Sequence, residues 1–263
     1  MSRLPKTKAM WGWLYRRLFL VRGAANTVET TAGIEQAIAE VRPNTMLTHP
    51  RLVSLYRQVE ECEKRELQGA FVECGTWKGG AVGLMALANL RHGTARRMLH
   101  LFDSFEGIHE PDAAVDGPLA VSQVLSVQGG VGGRLVAVQG LYEKFAGSVG
   151  TLEDNRNLLE KKIGYPVEFI SYHKGWFQDT VPTATVTIGP IAILRLDGDW
   201  YVSTKICLDH LYPKVVPGGF VIVDDYGTYD GCRKAVDEYR ATHGIRAMLE
   251  RIDSSAFVWI KAG

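Results

Sequence analysis

From Gly69 onward the chain alternates short apolar runs with longer stretches of helical character. This alternation is typical of a parallel sheet flanked by helices, since each parallel connection needs a crossover of about a dozen residues. Only residues 252–255 separate the last two runs, so we expect those runs to form an antiparallel hairpin. The sequence therefore predicts a Rossmann-like, doubly wound α/β sheet, mostly parallel with an antiparallel C-terminal strand. The predicted strands are residues 70–72, 98–102, 167–171, 191–196, 220–223, 247–251 and 256–261.

The length of 263 residues suits one large α/β domain with an appendage, and it is too short for two full catalytic domains. Residues 1–68 have helical spacing, which predicts an N-terminal helical cap or oligomerisation segment, and residues 69–263 are predicted to form the catalytic domain. The stretch at about 110–150 is rich in Gly, Ser and Val and exceeds an ordinary connection. We expect it to form a mobile lid with one helix over the active site.

Residues 11–21 carry apolar side chains on one helical face, and Arg16 and Arg17 interrupt that run. A spanning helix needs about 20 consecutive apolar residues, so we expect no stable membrane insertion. We interpret the stretch as an amphipathic helix that packs within or between subunits, with a membrane surface as the alternative.

Charge and cysteine content argue against several classes of protein. The chain has 30 Lys and Arg against 29 Asp and Glu, and this net charge of +1 gives no electrostatic reason to expect a nucleic-acid partner. The four cysteines form no CxxC pair, and no histidine cluster has zinc spacing, so we expect neither a disulfide framework nor a structural zinc site. This pattern favours the reducing cytoplasm.

A glycine-rich turn follows the first predicted strand, in the segment FVECGTWKGGA at residues 71–81. Glycines such as Gly75 permit a tight turn and let the backbone approach a ligand at a helix N-terminus. The spacing differs from the G-x-G-x-x-G of dinucleotide folds, and Glu73 at the strand end suits a cationic amino group better than a pyrophosphate. The alternative is a turn without a ligand, which many α/β proteins contain.

Two further segments follow predicted strands and carry polar groups suited to a nucleoside. Asp103 ends the second strand, where a carboxylate can accept both hydroxyl hydrogens of a ribose. Gln178 and Asp179 follow the third strand, next to the aromatic Trp176, and can hold an adenine ring by edge hydrogen bonds and stacking. An exposed strand-end acid and a tryptophan used only for packing are the alternatives.

Carboxylates follow two later strands, in LRLDGD at residues 194–199 and VIVDDY at residues 221–226. The carboxyl ends of parallel strands meet at one edge of a sheet, so the acids of both segments should converge there. Converging carboxylates repel one another unless a cation lies among them, and an all-oxygen ligand set favours Mg²⁺ or a similar hard ion. The alternative is that Asp197 and Asp225 only cap the helices that follow. His109, at the start of the predicted lid, is a further candidate base.

Taken together, these segments resemble the macrocin O-methyltransferase family, whose members methylate hydroxyls on deoxysugars of macrolide and related antibiotics. The resemblance covers most of residues 69–245. It rests on six segments in the family's order: FVECGTWKGGA, LFDSFEG, GWFQDTVPTA, LRLDGDWYVST, LYPKVVPGGFVIVDDYG and CRKAVDEYR.

The resemblance implies an S-adenosylmethionine-dependent methyltransferase that uses Mg²⁺ and acts on a small glycosylated substrate. It implies cofactor contacts at Glu73, Gly75, Asp103, Ser104, Gln178 and Asp179, and metal ligands at Asp197, Asp224 and Asp225. It also implies that the metal chelates adjacent sugar hydroxyls, and that Asp197 or Asp199 takes the proton. Family members form homo-oligomers in which N-terminal segments complete neighbouring sites.

Other functions remain open at this point. A metal-dependent methyltransferase for catechols or other phenols would need the same acids, because its acceptor also offers adjacent oxygens. An NAD-dependent oxidoreductase shares the sheet topology, but the glycine spacing does not support it. A binding protein that only retains the fold would gain nothing from clustered unpaired carboxylates.

Overall fold

The computed structural model of the protein describes residues 24–263, with side chains from residue 31 onward. The amphipathic helix predicted at residues 11–21 lies outside this range. Among the described residues, no helix combines the length and the apolarity that crossing a membrane requires.

A single sheet of seven strands organises the fold, in the order β3-β2-β1-β4-β5-β7-β6. The first five strands are parallel, whereas β7 runs antiparallel to β5 and β6 runs antiparallel to β7. This arrangement confirms the predicted fold class, including the C-terminal hairpin. The strands are β1 Ala70–Cys74, β2 Leu99–Asp103, β3 Ile170–Lys174, β4 Ile191–Leu196, β5 Val215–Val223, β6 Glu250–Arg251 and β7 Phe257–Ile260.

Several strand boundaries differ from the predicted ones, most of all in the third, fifth and sixth strands, and β5 begins at Val215 rather than at Phe220. The third strand begins at Ile170 rather than at Val167, because a 3₁₀ turn over Val167–Phe169 follows Pro166. Val167 is an exposed apolar residue, so hydrophobicity placed the strand too early. The sixth strand contains only Glu250–Arg251, which pair with the start of β7.

Helices cover both faces of the sheet, as a doubly wound fold requires. One apolar cluster joins α1, α2 and α3 to side chains such as Phe71 and Ile193, and a second joins α7, α8 and α9 to side chains such as Val72 and Leu194. Adjacent strand residues thus enter opposite clusters, which is the period-two pattern of a sheet buried on both faces. The helices are α1 Ala24–Val41, α2 His49–Lys64, α3 Gly80–His92, α4 Gly117–Leu125, α5 Leu141–Ala146, α6 Leu152–Arg156, α7 Phe177–Thr185, α8 Tyr201–Leu211 and α9 Asp230–Thr242.

The segment predicted as a lid contains two short helices, α4 and α5, rather than one. Isolated antiparallel bridges join His109 to Ala137 and Asp112 to Gly132, so the chain before α4 pairs with the chain between α4 and α5. Both helices pack around the buried Trp200 in a third apolar cluster. Trp200 follows β4, so this cluster attaches the segment to the carboxyl edge of the sheet.

Candidate active site

A cavity of about 290 Å³ lies at the carboxyl edge of the sheet. Four strands end in it, and α4 and α5 close its other side through Gln123, Leu141 and Phe145. A smaller cavity of about 40 Å³ adjoins it and shares Gly75, Asp103, Tyr142 and two of the acids. The strand-end residues that line the main cavity are Glu73, Gly75, Asp103, Asp197, Asp199, Asp224 and Asp225.

The turn after β1 packs directly on the end of β4. Gly75 has a φ of +89°, and a Cβ atom there would lie 1.8 Å from the carbonyl oxygen of Asp197. Only glycine permits this approach, because any other side chain would collide with backbone. The contact brings the glycine-rich turn against the backbone of Asp197, the first residue of the predicted metal site.

Asp103 holds the same turn from the other side. Its Oδ2 accepts hydrogen bonds from the backbone N–H of Thr76 at 2.7 Å and of Trp77 at 3.1 Å, and its Oδ1 accepts one from Phe105 N–H at 2.7 Å. Burial raises the pKa of Asp103, although these backbone donors act in the opposite direction. The carboxylate therefore shapes the turn after β1 and still faces the cavity.

Glu73 is buried at the end of β1 and is only half satisfied. Its Oε1 is paired with Arg195, whereas its Oε2 has no hydrogen-bond partner within the described part of the chain. Burial raises the pKa of Glu73 to about 8, although Arg195 acts to lower it. An unpartnered carboxylate oxygen in the cavity suits a ligand that carries an ammonium group.

The other predicted cofactor contacts lie at different distances from the cavities. Ser104 lines the smaller cavity, and its hydroxyl donates to the carbonyl of Gly107. Gln178 lies in the first turn of α7, just after the cavity-lining Phe177, and neither polar atom of its buried amide has a partner among residues 31–263. Asp179 is exposed and lines neither cavity.

The structure brings three of the four predicted acids together. Oxygens of Asp197, Asp199 and Asp225 all lie within 4.8 Å of one another. Burial, and after it the neighbouring carboxylates, raises the pKa of Asp199 and of Asp225 well above the usual value. Asp225 is only 8% exposed, and its Oδ2 has no partner among the described side chains. Such a group of oxygens is suited to a hard divalent cation.

Asp224 has a different environment from its neighbour. Its Oδ1 accepts a hydrogen bond from Arg195 at 2.6 Å, and its Oδ2 is paired with Arg51. Arg195 also donates to Asp197 at 2.9 Å. Asp224 thus lies beside the three-acid group, and each of its carboxylate oxygens is paired with an arginine.

Sequence reasoning assigned no role to the two arginines that organise these acids. Arg195 is fully buried within an otherwise apolar strand, and this charged residue between Leu194 and Leu196 was the available signal. A buried guanidinium requires carboxylate partners, and the nearest ones in space come from β1 and β5. Arg51 offered no signal, since it lies in the first turn of α2 among ordinary helix residues.

The helix-capping alternative for Asp197 and Asp225 is excluded. Helix α8 follows Trp200 and helix α9 follows Tyr229, and neither helix has a side-chain cap from those positions. Asp116 caps the N-terminus of α8 instead, because its Oδ1 accepts a hydrogen bond from Tyr201 N–H at 2.7 Å. The lid segment therefore caps α8, which leaves Asp197 in the cavity.

His109 is held by two hydrogen bonds. Its Nδ1 lies 2.7 Å from the carbonyl oxygen of Glu110, so this nitrogen carries the proton and donates. Its Nε2 lies 2.8 Å from Oγ of Ser203, which donates in return. Burial lowers the pKa of His109. Both ring nitrogens of this neutral imidazole are hydrogen-bonded, so His109 is better suited to anchoring its segment than to removing a proton.

The chain matches known proteins over most of its length. The family model described as Macrocin-O-methyltransferase (TylF) matches residues 26–128 and 155–261. Demethyldecarbamoylnovobiocin O-methyltransferase of Streptomyces niveus is 38% identical over 216 residues, which cover 82% of this chain and 75% of that protein. Mycinamicin III 3''-O-methyltransferase of Micromonospora griseorubida is 33% identical over 223 residues, covering 82% and 78%.

One protein of solved structure is similar to this chain in both sequence and fold. The O-methyltransferase NovP superposes with a TM-score of 0.67 and 34% sequence identity, covering 84% of this chain and 83% of that one. The chain belongs to the macrocin O-methyltransferase family and is an S-adenosylmethionine-dependent O-methyltransferase.

Proposed function

We propose that this enzyme methylates a hydroxyl of a sugar in a glycosylated natural product and that it uses Mg²⁺ to do so. The observation that carries the proposal is the group formed by Asp197, Asp199 and Asp225, in the same cavity as Glu73 and Asp103. The relatives are named for methylation of mycinamicin III and of a rhamnosyl tetracenomycin. Their names support a glycosylated acceptor for this chain.

In this proposal Asp197, Asp199 and Asp225 hold the magnesium ion. Their oxygens are close together, and the unpartnered Oδ2 of Asp225 is a buried acceptor that a cation would satisfy. When bound, Mg²⁺ lowers the pKa of an acceptor hydroxyl and fixes its direction. Asp224, which the family resemblance also implies as a ligand, lies beside this set with each oxygen paired to an arginine, and the second lone pair of each oxygen remains available to the cation.

The chain's own residues hold the cofactor at the other end of the cavity. Glu73 Oε2 receives the ammonium group of the methionine part, and Asp103 receives the ribose hydroxyls with the accepting capacity that its backbone bonds leave. Ser104 lines the adjoining small cavity. The buried, unpartnered amide of Gln178 is available to the adenine edge after a small rotation, whereas Asp179 is exposed and acts from the rim.

An aspartate of the DGD segment takes the proton of the acceptor hydroxyl as the new C–O bond forms and the bond from carbon to the sulfonium sulfur breaks. Asp199 is the better candidate, because it lines both cavities and can accept the proton through the carboxylate oxygen that does not hold the metal. Asp197 is the alternative, and its Oδ2 already accepts a hydrogen bond from Arg195. The left-handed backbone of Asp199, with φ at +55°, directs this residue into the cavity rather than along the following helix.

The mouth of the cavity suits an acceptor with an apolar part beyond its sugar. Phe145 and Met46 both line the cavity, and they remain 57% and 51% exposed. Large apolar side chains at a cavity rim gain stability when a ligand covers them. Leu141 continues this surface inward, toward the acids.

The test compares acceptor classes with one enzyme preparation. Metal-free protein is incubated with S-adenosylmethionine and either a glycosylated macrolide, the matching aglycone or a flat catechol, with Mg²⁺ or with EDTA. We expect a mass gain of one methyl group on the glycoside only, abolished by EDTA and restored by Mg²⁺. Methylation of the catechol alone would support the phenol alternative, and full activity in EDTA would exclude the metal. Titration calorimetry with NAD tests the oxidoreductase alternative, and we expect no heat of binding.

A further inference from the structure

One wall of the active-site cavity comes from a part of the chain that lies between the two stretches matched by the family model. The first matched stretch ends at residue 128 and the second begins at residue 155, and helix α5 lies between them. The features that this chain shares with the family therefore do not set the wall that α5 forms. The helix contributes four lining residues, which are Leu141, Tyr142, Phe145 and Ala146.

Contacts on both sides of α5 hold it over the cavity. Lys144 Nζ donates a hydrogen bond at 2.9 Å to Oγ of Ser126, the residue that follows α4. Beyond the helix, the indole N–H of Trp77 donates to the carbonyl oxygen of Ser148 at 2.9 Å. The helix is thus attached both to α4 and to the turn after β1, and this attachment gives Tyr142 a defined place.

Tyr142 lies where the two cavities meet. It lines both of them, and its ring packs on Gly107, where a Cβ atom would lie 3.5 Å from Tyr142 Cδ2. Burial, and after it the charges of Asp199 and Asp103, raises the pKa of Tyr142, so the hydroxyl keeps its proton. Among residues 31–263 this hydroxyl has no hydrogen-bond partner. A free donor therefore lies between the end of β2 and the end of β4.

A sugar bound beside the acids needs such a donor. Carboxylates accept hydrogen bonds from the hydroxyl hydrogens of a sugar, but they cannot donate to its oxygens. Another phenol of the cavity, Tyr229, already donates its hydrogen to Gln123 Oε1 at 2.7 Å. A sugar oxygen that is buried without a donor lowers the affinity, so the free hydroxyl of Tyr142 has a specific use.

We propose that Tyr142 is a specificity-determining residue whose hydroxyl donates a hydrogen bond to an oxygen of the acceptor sugar, close to the hydroxyl that is methylated. This inference rests on the proposed sugar acceptor. An acceptor without an oxygen at that position leaves the Tyr142 hydroxyl unpaired and binds more weakly. The bonded oxygen is not the reacting one, so the bond has the same strength in the bound substrate and in the transition state. Its loss therefore raises KM and leaves kcat nearly unchanged.

The experiment measures steady-state methyl transfer by the full chain with S-adenosylmethionine, Mg²⁺ and a panel of macrolide and aromatic glycosides. For the glycoside that the wild type methylates best, we expect Tyr142→Phe to raise KM about tenfold and to keep kcat within about threefold. Tyr172→Phe is the matched control, because the hydroxyl of Tyr172 donates to Glu160 and the residue lines neither active-site cavity. Its KM should stay within about twofold of the wild type.

Monodeoxy analogues of the same glycoside identify the oxygen that Tyr142 binds. For the analogue that lacks this oxygen, we expect wild type and Tyr142→Phe to have KM values within about twofold of each other. For the other analogues that are still methylated, the difference of about tenfold should remain. A merely structural role for Tyr142 would change KM for every analogue alike.

Two binding measurements show whether the rest of the site is intact in Tyr142→Phe. The affinity for S-adenosylmethionine is measured by calorimetry, and the affinity of the metal-free protein for Mn²⁺ by electron paramagnetic resonance. Mn²⁺ is a suitable probe of the acid group, because carboxylate sites accept it in place of Mg²⁺. Both affinities should stay within about twofold, since phenylalanine keeps the ring that packs on Gly107.

Each outcome decides one of the two proposals. If the wild type methylates no glycoside of the panel, the proposed function is contradicted, and this inference with it. If the wild type methylates a glycoside and Tyr142→Phe leaves KM unchanged, or raises it equally for every deoxy analogue, the role of Tyr142 alone is overturned. Tenfold weaker binding of S-adenosylmethionine with an unchanged KM for the glycoside would also overturn it, because the hydroxyl would then bind the cofactor.

Discussion

The active-site cavity has two halves, and the groups that surround the carboxylates differ between them. In the half where β1 and β2 end, which holds the proposed cofactor contacts and is called the cofactor half here, Asp103 accepts backbone hydrogen bonds from Thr76, Trp77 and Phe105. In the acid half, where β4 and β5 end, Asp199 and Asp225 face each other and Asp197 without compensating donors for every oxygen. The chain's own backbone donors hold Asp103 in the first half, where Glu73 Oε2 is left for a ligand, whereas in the second half carboxylates face one another.

This difference shows what each half requires from a ligand. A turn held by its own hydrogen bonds is preorganised, so cofactor binding there pays little conformational entropy. Neighbouring carboxylates with raised pKa values repel one another when charged, and a bound cation can offset this repulsion. Arg195 connects the halves, because it contacts Glu73 on one side and Asp197 and Asp224 on the other.

The largest expected effect comes from a loss in the acid half alone. Asp225→Asn removes a charged oxygen from the three-acid group, and we expect kcat/KM for methyl transfer to fall by about 10³-fold. The affinity for S-adenosylmethionine, measured by calorimetry, should stay within about twofold of the wild type because the cofactor half is unchanged. Asp209→Asn, at an exposed acid paired with Lys205, is the control. Equal losses in turnover and cofactor affinity would show that the two halves are not separable.

The next effect belongs to the cofactor half. In the proposed function Glu73 faces the ammonium group of the cofactor, so Glu73→Gln removes that charge and we expect about a hundredfold weaker binding of S-adenosylmethionine at pH 8. Because burial raises the pKa of Glu73 to about 8, the wild-type carboxylate gains its charge only as the pH rises toward that value. Cofactor affinity of the wild type should therefore increase by at least about tenfold from pH 6 to pH 8. A pH dependence that persists in Glu73→Gln would assign it to another group.

Much of this comparison could be predicted from the sequence, because it depends on local segments at strand ends. Parallel strands end at one edge, so the segments containing Glu73, Asp103, Asp197 and Asp225 had to converge once the strands were recognised. The arginines could not be placed in this way. The pair between Arg51 and Asp224 joins residues 173 positions apart, and the pair between Arg195 and Glu73 joins residues 122 apart. Such partners are set by helix packing and sheet order, which no single segment encodes.

A histidine pair on β2 and β3 should respond to pH in the opposite sense to the buried acids. His100 Nδ1 lies 3.1 Å from His173 Nε2, and burial, with the neighbouring His173 next, lowers the pKa of His100 to about 4. The unfolded chain takes up the proton near pH 6.5, so the pair destabilises the fold as pH falls from about 6.5 toward 4. The aspartates of the acid half have raised pKa values, and their contribution is lost instead as pH rises.

We therefore expect His100→Gln to lose about 2 kcal/mol less unfolding free energy than the wild type between pH 7.5 and pH 5. Urea unfolding at both pH values measures this difference, and comparing slopes removes the intrinsic cost of the substitution. His173→Gln is the reciprocal variant, and its slope should also be reduced, since it removes one histidine and the repulsion on the other. If the change of unfolding free energy with pH is the same in both variants as in the wild type, other groups cause the loss of stability in acid.

The smallest expected effect tests whether the cofactor half is preorganised by residues that touch no ligand. Asn155 is fully buried, and its amide donates to the carbonyl of Trp77 at 2.7 Å and to that of Thr151 at 2.9 Å. Trp77 has a left-handed φ of +46°, which a non-glycine residue holds only when its surroundings fix it. Asn155→Asp loses both donors, and we expect S-adenosylmethionine to bind about tenfold more weakly.

The acid half should not respond to this change. Mn²⁺ affinity of Asn155→Asp is expected to stay within about twofold of the wild type, since Asn155 reaches the acids only through the turn after β1. Asn157→Asp is the matched control, because Asn157 is exposed two positions further along the chain and the substitution is identical. A parallel fall in Mn²⁺ affinity would mean that the turn and the acids form one cooperative unit, held together where Gly75 packs on the backbone of Asp197.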